Sequence, residues 1–210
     1  MKTKKIEFIS QIIFFGAIWG LLEATLGYVL HLLPALIAGS IMFPIAIFIL
    51  FKAYKNTQSR YAILMIGILA MMIKSMNLML PGHPAKTINP MIAMFIQSLI
   101  AFGVIPMFDK GHLTQKISLI IVMSVGWRMG MMFYYGYNYL TTNFLDFRLA
   151  SFTSGFEFIL IEGLISGVIA GLLVIGGDLL INRSFKKLTL NPMISVFILI
   201  LAVFFTLYKF

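Results

Sequence analysis

Seven apolar stretches, each close to the length of a membrane-crossing helix, run along this chain with short polar or Pro/Gly-rich breaks between them. They fall at about 8–31, 35–54, 61–80, 89–108, 117–140, 153–181 and 191–208. A helix needs roughly 20 apolar residues to cross the hydrocarbon layer, so the pattern predicts one crossing per stretch. The breaks are Leu33-Pro34, the polar turn from Lys55 to Arg60, Pro81-Gly82-His83-Pro84, Asp109 to Lys116, Thr141 to Ser151 and Asn182 to Leu190. Asn-Pro-Met-Ile occurs twice, at 89–92 and 191–194. Asn before Pro is a common way to begin a helix, so both are expected to be independent helix starts. The expected fold is an all-α polytopic membrane protein with a single domain over 1–210, built as a six-helix core plus one.

The loop charges test this count. With the N-terminus inside, the cytoplasmic side holds Lys2, Lys4, Lys5, Lys52, Lys55, Arg60, Lys110, Lys116, Arg183, Lys186 and Lys187, and the outer side only Lys86, Arg148 and Lys209. That asymmetry is the positive-inside pattern, and it alternates at every loop. It predicts N-terminus in, C-terminus out, in the cytoplasmic (inner) membrane. The basic N-terminal segment leads into an apolar stretch too long for a signal peptide and without a small-x-small cleavage site, so it reads as a retained first helix.

Composition narrows the function. Sixty per cent of residues are hydrophobic and 11% charged, which excludes a soluble core. The net charge of +9 comes from membrane-flanking loops, where it orients the chain and meets anionic lipid rather than nucleic acid. The absence of cysteine removes thiolate catalysis and thiolate metal sites. No nucleotide-binding loop is present. Ser154 has no histidine on a later helix to activate it, and Asp109, Asp146 and Asp178 sit at loops or helix ends on different sides. The last span has no lysine but Lys209, at its outer end. His31, His83 and His112 do not cluster by position and read as surface histidines. No cofactor or metal is expected.

Four charges nevertheless lie deep inside apolar stretches: Glu23, Lys74, Arg128 and Glu162. Each costs roughly 2.5–3.5 kcal/mol at mid-bilayer, so such groups pair or line a polar cavity. At about 1.5 Å per residue, Glu23, Lys74 and Glu162 all lie roughly 6 Å outward of their span midpoints, with Arg128 near mid-membrane. The shared level predicts an outward-facing pocket for a small polar or zwitterionic solute. There Lys74 and Arg128 would hold anionic groups, and Glu23 and Glu162 cationic groups or donors. Asn77 would orient the guest, and Trp19 or Tyr135 would stack on it. Small residues at four-residue spacing, Gly16, Gly20 and Ala24 in the first span and Gly163, Gly167 and Gly171 in the sixth, predict close helix packing. Met71, Met72, Met76 and Met79 are expected to be filler or lipid contacts, and the outermost of Trp127, Tyr134, Tyr137 and Tyr139 an interfacial belt.

The small-residue first helix (Gly16-x-x-x-Gly20-x-x-x-Ala24), the Glu-Gly-Leu-Ile-Ser-Gly run at 162–167 and the small size resemble substrate-binding S components of energy-coupling factor transporters, over about residues 5–183. The resemblance implies an outer-half pocket for a vitamin-like nutrient or metal ion. It also implies docking through the first-helix small residues onto a transmembrane coupling subunit powered by two ATPases. That family commonly has six spans, and the seventh here is an addition. The expected function is therefore solute uptake and not catalysis, by differential affinity between outward and inward states. Two alternatives stay open: a membrane enzyme using Glu23 or Glu162 as general base on a lipid or isoprenoid, and an assembly subunit without a ligand.

Overall fold

The computed structural model describes residues 2–30, 35–177 and 190–208, which form helices and short connections with no strand among them. In chain order the helices are α1 (Lys2–Ala24) and its short continuation α2 (Leu26–Leu30), α3 (Ala35–Thr57) and α4 (Arg60–Ser75). Then come α5 (Ala85–Val104), α6 (Leu113–Thr142), α7 (Phe152–Phe156), α8 (Glu162–Gly171) and α9 (Pro192–Leu207). The breaks at Leu33-Pro34 and 182–189, residue His31, the last residues of the sixth predicted span and Lys209 lie outside the described residues.

Five helical stretches are long and apolar enough to cross a membrane: Lys4–Ala24, Arg60–Met79, Ala85–Phe108, Leu113–Thr142 and Phe152–Gly176. The burial pattern is that of a multi-pass membrane protein, inverted relative to a soluble one. Arg128, Lys74 and Glu23 are 0%, 4% and 6% exposed, whereas Phe133 and Leu172 are 77% and 71% exposed. So much contiguous apolar surface around charged interior groups suits a hydrocarbon surround.

Helix contacts close a ring, α1 to α4 to α5 to α6 to α8 to α3 and back to α1, with α9 laid against the outside of α1. The small residues set these approaches. A Cβ on Gly16 would come within 2.8 Å of the Leu69 side chain, and one on Gly20 within 2.8 Å of Ile73, so this part of the α1 stripe is covered by α4 of the same chain. Ala17, Ile73 and Ala202 form the seam where α9 joins α1 and α4. On α8, Gly163 faces Val125 and Gly167 faces Ile121 and Ser124, while Gly171 sits near Ile120, all on α6.

Three boundaries depart from the sequence expectation. The helix around Asn89-Pro90 begins earlier, at Ala85, and Pro90 lies inside it. Main-chain bonds from Thr87 and Ile88 to the Pro84 carbonyl, both 2.9 Å, start the helix first. Pro90 then has no N–H to offer the Lys86 carbonyl four residues back. Secondly, α4 tightens into a 3₁₀ turn at Met76–Met79. Thirdly, the sixth span is not a uniform α-helix: π-turns at Glu157–Ile161 and Leu172–Gly176 bracket α8. Such turns concentrate at functional positions, and Glu162 directly follows the first.

The second Asn-Pro pair does begin a helix: Asn191 caps α9, its side chain accepting from the Met193 N–H at 3.0 Å. Asn191→Ala is expected to cost about 1 kcal/mol of local helix stability. Faster hydrogen exchange at the Met193 amide would report it, and unchanged exchange would show that the cap contributes nothing.

Candidate functional site

The ring encloses a cavity of about 290 Å³ at the end of the bundle where α1 finishes and α5 begins. Its acids come from two different walls, Glu23 on α1 and Glu162 on α8. Its aromatic walls are Trp19, Trp127, Tyr135 and Phe158, and Asn89 and Gln97 add amides from α5. Lys86 and Arg148 are the basic lining residues. The volume is near the low end of small-molecule pockets, roughly 300–1,000 Å³, and the mix of apolar wall with a few polar groups is typical of them.

The four membrane-level charges pair two by two. Lys74 Nζ is 3.8 Å from Glu23 Oε1 and donates to the Glu23 main-chain carbonyl at 3.5 Å. Arg128 Nη2 is 3.8 Å from Glu162 Oε2. Both ion pairs are about 1 Å longer than a charge-assisted hydrogen bond, near 2.7–2.9 Å, so neither carboxylate is saturated by its partner. Glu162 Oε1 and Trp127 Nε1, an acceptor and a donor at the cavity wall, are buried with no hydrogen-bond partner. Leaving such groups unmatched costs about 1–3 kcal/mol each, which a guest offering the complementary groups would recover.

The shared chamber of four charges inferred from depth is corrected by this geometry. Trp19, Glu23, Tyr135 and Glu162 meet in one cavity, but Arg128 and Lys74 do not line it. Arg128 is held behind the wall. Its Nη1 donates to the Ser124 carbonyl at 3.2 Å and Oγ at 3.3 Å, and Nη2 donates to Ser40 Oγ at 3.3 Å on α3. Its guanidinium also lies 4.6 Å from the Trp127 ring centre and 5.6 Å from that of Phe158. Lys74 and Asn77 open instead on a second cavity, with Ala24, His83, Lys86 and Thr206. Counting along a helix carries no angular information, and the two pairs turn toward different chambers.

A serine pair locks the Arg128 side of the site. Ser124 Oγ donates to the Gly163 carbonyl at 2.7 Å and lies 2.7 Å from Ser166 Oγ, which donates to the Glu162 carbonyl at 2.8 Å. The glycine-spaced contact of α8 on α6 makes this possible, because only small residues let the two backbones come so close. Thus Gly163 and Gly167 act here as packing residues that position Glu162.

Sequence reasoning missed Gln97, Asn89, Phe158, Lys86 and Arg148 as cavity residues and set Trp127 among a surrounding aromatic group. Trp127 is 4% exposed and stacks on Phe43 at 5.9 Å, whereas Tyr137 at 67% exposure fits an interfacial position. The available signal was Gln97, an amide in the middle of an apolar stretch. Arg148 reads from sequence as a loop charge, yet its guanidinium lies 5.1 Å from the Tyr135 ring centre and 4.9 Å from that of Phe158, and pairs with Asp146 at 3.2 Å. Met72 and Met79 are 60% and 81% exposed, in accord with lipid contact, while Met71 and Met76 are half-buried. His83 accepts from the Ala85 N–H at 3.3 Å, a turn role just ahead of α5.

No family model, curated protein or solved structure matches this chain.

Proposed function

We propose that this chain is a solute-binding subunit of a membrane uptake system, in the manner of the S components it resembles. The observation that carries the reading is a cavity walled by aromatic rings, onto which two incompletely paired carboxylates open from different helices. A cationic or hydrogen-bond-donating group between Glu23 and Glu162 would also meet ring faces, where a cation gains further attraction. Lys86 and Arg148 take the part first assigned to Lys74 and Arg128, binding an anionic group at the other end of the guest. The preferred guest is a small zwitterion or polar solute with a flat apolar portion, and no step of its uptake requires covalent chemistry.

The loop charges orient the chain with seven crossings in the cytoplasmic membrane, N-terminus in and C-terminus out, α3 and α9 being the two that complete the count. The cavity then faces outward. Because Gly16 and Gly20 are covered by α4, a coupling subunit would dock elsewhere on the bundle than the resemblance implies. Transport follows if the guest binds the outward state more tightly than the inward one, and the coupling ATPases supply the difference.

The test is purification of the full chain in mild detergent, then mass spectrometry of small molecules released on denaturation. The expected result is one retained solute, reduced about tenfold in Glu162→Gln and in Trp127→Phe, a change near 1.4 kcal/mol in each. Both also cost stability, Glu162→Gln by leaving buried Arg128 without its counter-charge and Trp127→Phe by shrinking a buried ring, so retention is normalised to the folded protein recovered. Absence of any retained molecule together with no co-purified ATPase would favour the assembly-subunit reading and remove this one.

A further inference from the structure

The second cavity differs in character from the first. It measures about 710 Å³ and lies where the α1–α2 rod, the 3₁₀ end of α4, the loop before α5 and the end of α9 converge. Its charged lining residues are Lys74 and Lys86, and no carboxylate is among its described lining residues. Lys74 is 4% exposed, so its ammonium is a desolvated charge presented to this space. Its counter-ion Glu23 stands off at 3.8 Å and opens on the other cavity. Asn77 lines the same space, and its Oδ1 is buried with no hydrogen-bond partner.

The rim is apolar. Val29 and Leu78 are 55% and 48% exposed at its edge, and Phe205 on α9 adds to the wall. A bare anion would satisfy the lysines but leave most of a 710 Å³ chamber unfilled. A neutral lipid would cover the apolar rim but leave Lys74 with only the Glu23 carboxylate at 3.8 Å and Lys86 with no anion from the guest. Only a molecule with both parts meets both conditions.

We infer that this cavity is a separate site for an anionic amphiphile, a phosphate- or carboxylate-headed molecule whose charged oxygens meet Lys74 and Lys86, whose head also carries a hydroxyl or N–H that donates to Asn77 Oδ1, and whose tail lies along Val29, Leu78 and Phe205. Lys86 lines both cavities, so the two sites share that ammonium, while Lys74 belongs to this one whichever solute the first cavity takes. Because Lys74 is shared with Glu23, the head competes with that carboxylate for the ammonium. An occupied second site therefore draws Lys74 away from Glu23, and removing the Glu23 charge strengthens the anion's hold. Coupling of this kind is reciprocal between two sites.

The experiment is native mass spectrometry of the full chain in neutral detergent, titrated with phosphatidylglycerol, with phosphatidylcholine of the same chains, and with inorganic phosphate. Phosphatidylglycerol should bind at least tenfold more tightly than phosphatidylcholine, and inorganic phosphate at equal concentration should not displace it. Lys74→Met should abolish that preference and Lys74→Arg keep it. Lys86→Met, at an exposed position that the fold does not need, should weaken it several-fold. Glu23→Gln should raise phosphatidylglycerol affinity by several-fold. Equal retention of both lipids, full displacement by inorganic phosphate, or a preference that survives both lysine-to-methionine changes overturns the proposal. A weakening in Glu23→Gln overturns the competition for Lys74.

Discussion

Arg128→Met is expected to destabilise the protein by about 3–5 kcal/mol, the range for removing one partner of a buried ion pair. That corresponds to roughly a hundred- to several-thousand-fold shift in the ratio of folded to unfolded protein. Arg128 is fully buried and ties α6 to α3 through Ser40 and to α8 through Glu162. Methionine fills much of the volume, so the loss isolates charge and hydrogen bonding. It leaves Glu162 charged with no cation behind it, in a wall where its Oε1 already lacks a partner. The measurement is thermal unfolding in detergent followed by tryptophan fluorescence. The double variant Arg128→Met/Glu162→Gln should recover a large share, because it removes the orphaned charge. A double variant no better than the single one would show that the Ser124 and Ser40 hydrogen bonds dominate. Lys in place of Arg keeps the charge but not the fork that reaches Ser40 and Ser124 together, so Arg128→Lys should fall between.

Gly67→Ala should be the second most damaging small change, costing about 3 kcal/mol, the upper end for over-packing by one carbon. A Cβ at Gly67 would overlap both the Oγ and the Cβ of Ser98 on α5, with the Trp19 ring at 3.8 Å behind. Ser98 cannot easily swing away, since its hydroxyl donates to the Met94 carbonyl at 2.6 Å and the residue is 1% exposed. The substitution must therefore separate α4 from α5 or displace Trp19, a wall of the first cavity. Adding Ser98→Gly clears both overlapping atoms and should restore most of the stability and the solute retention lost in Gly67→Ala. Alanine at Gly103, where a Cβ meets nothing within 4 Å, is the control and should be near neutral. Equal loss at positions 67 and 103 would mean that helix flexibility, not the α4–α5 contact, sets the cost.

Much of the helix layout was legible before any coordinates. Uninterrupted apolar runs leave the backbone no water to bond with, so each must close its hydrogen bonds within a helix. The elements therefore fall where hydropathy puts them. Errors came at proline and at the π-turns. Asn89-Pro90 and Asn191-Pro192 share one local signal but not one structure, because Pro84 already supplies the acceptor that starts α5 while nothing among the described residues does so ahead of Asn191. A π-turn adds a residue to a turn without a composition signature, so the register of Glu162 relative to Phe158 could not be read from spacing.

What the sequence alone determined is the set of membrane-level charges, the small-residue stripes that let helices touch, and the apolar lengths that carry them. These depend on residue type and local spacing. Which charge meets which, and that one chamber takes Glu23 and Glu162 while another takes Lys74 and Asn77, was decided only by the tertiary ring. The reason is geometric: depth follows from counting along a helix, but the direction a side chain faces relative to five neighbours follows from how the helices rotate as they pack. A glycine on α8 meeting a serine on α6 settles that rotation, and no distance along the chain encodes it.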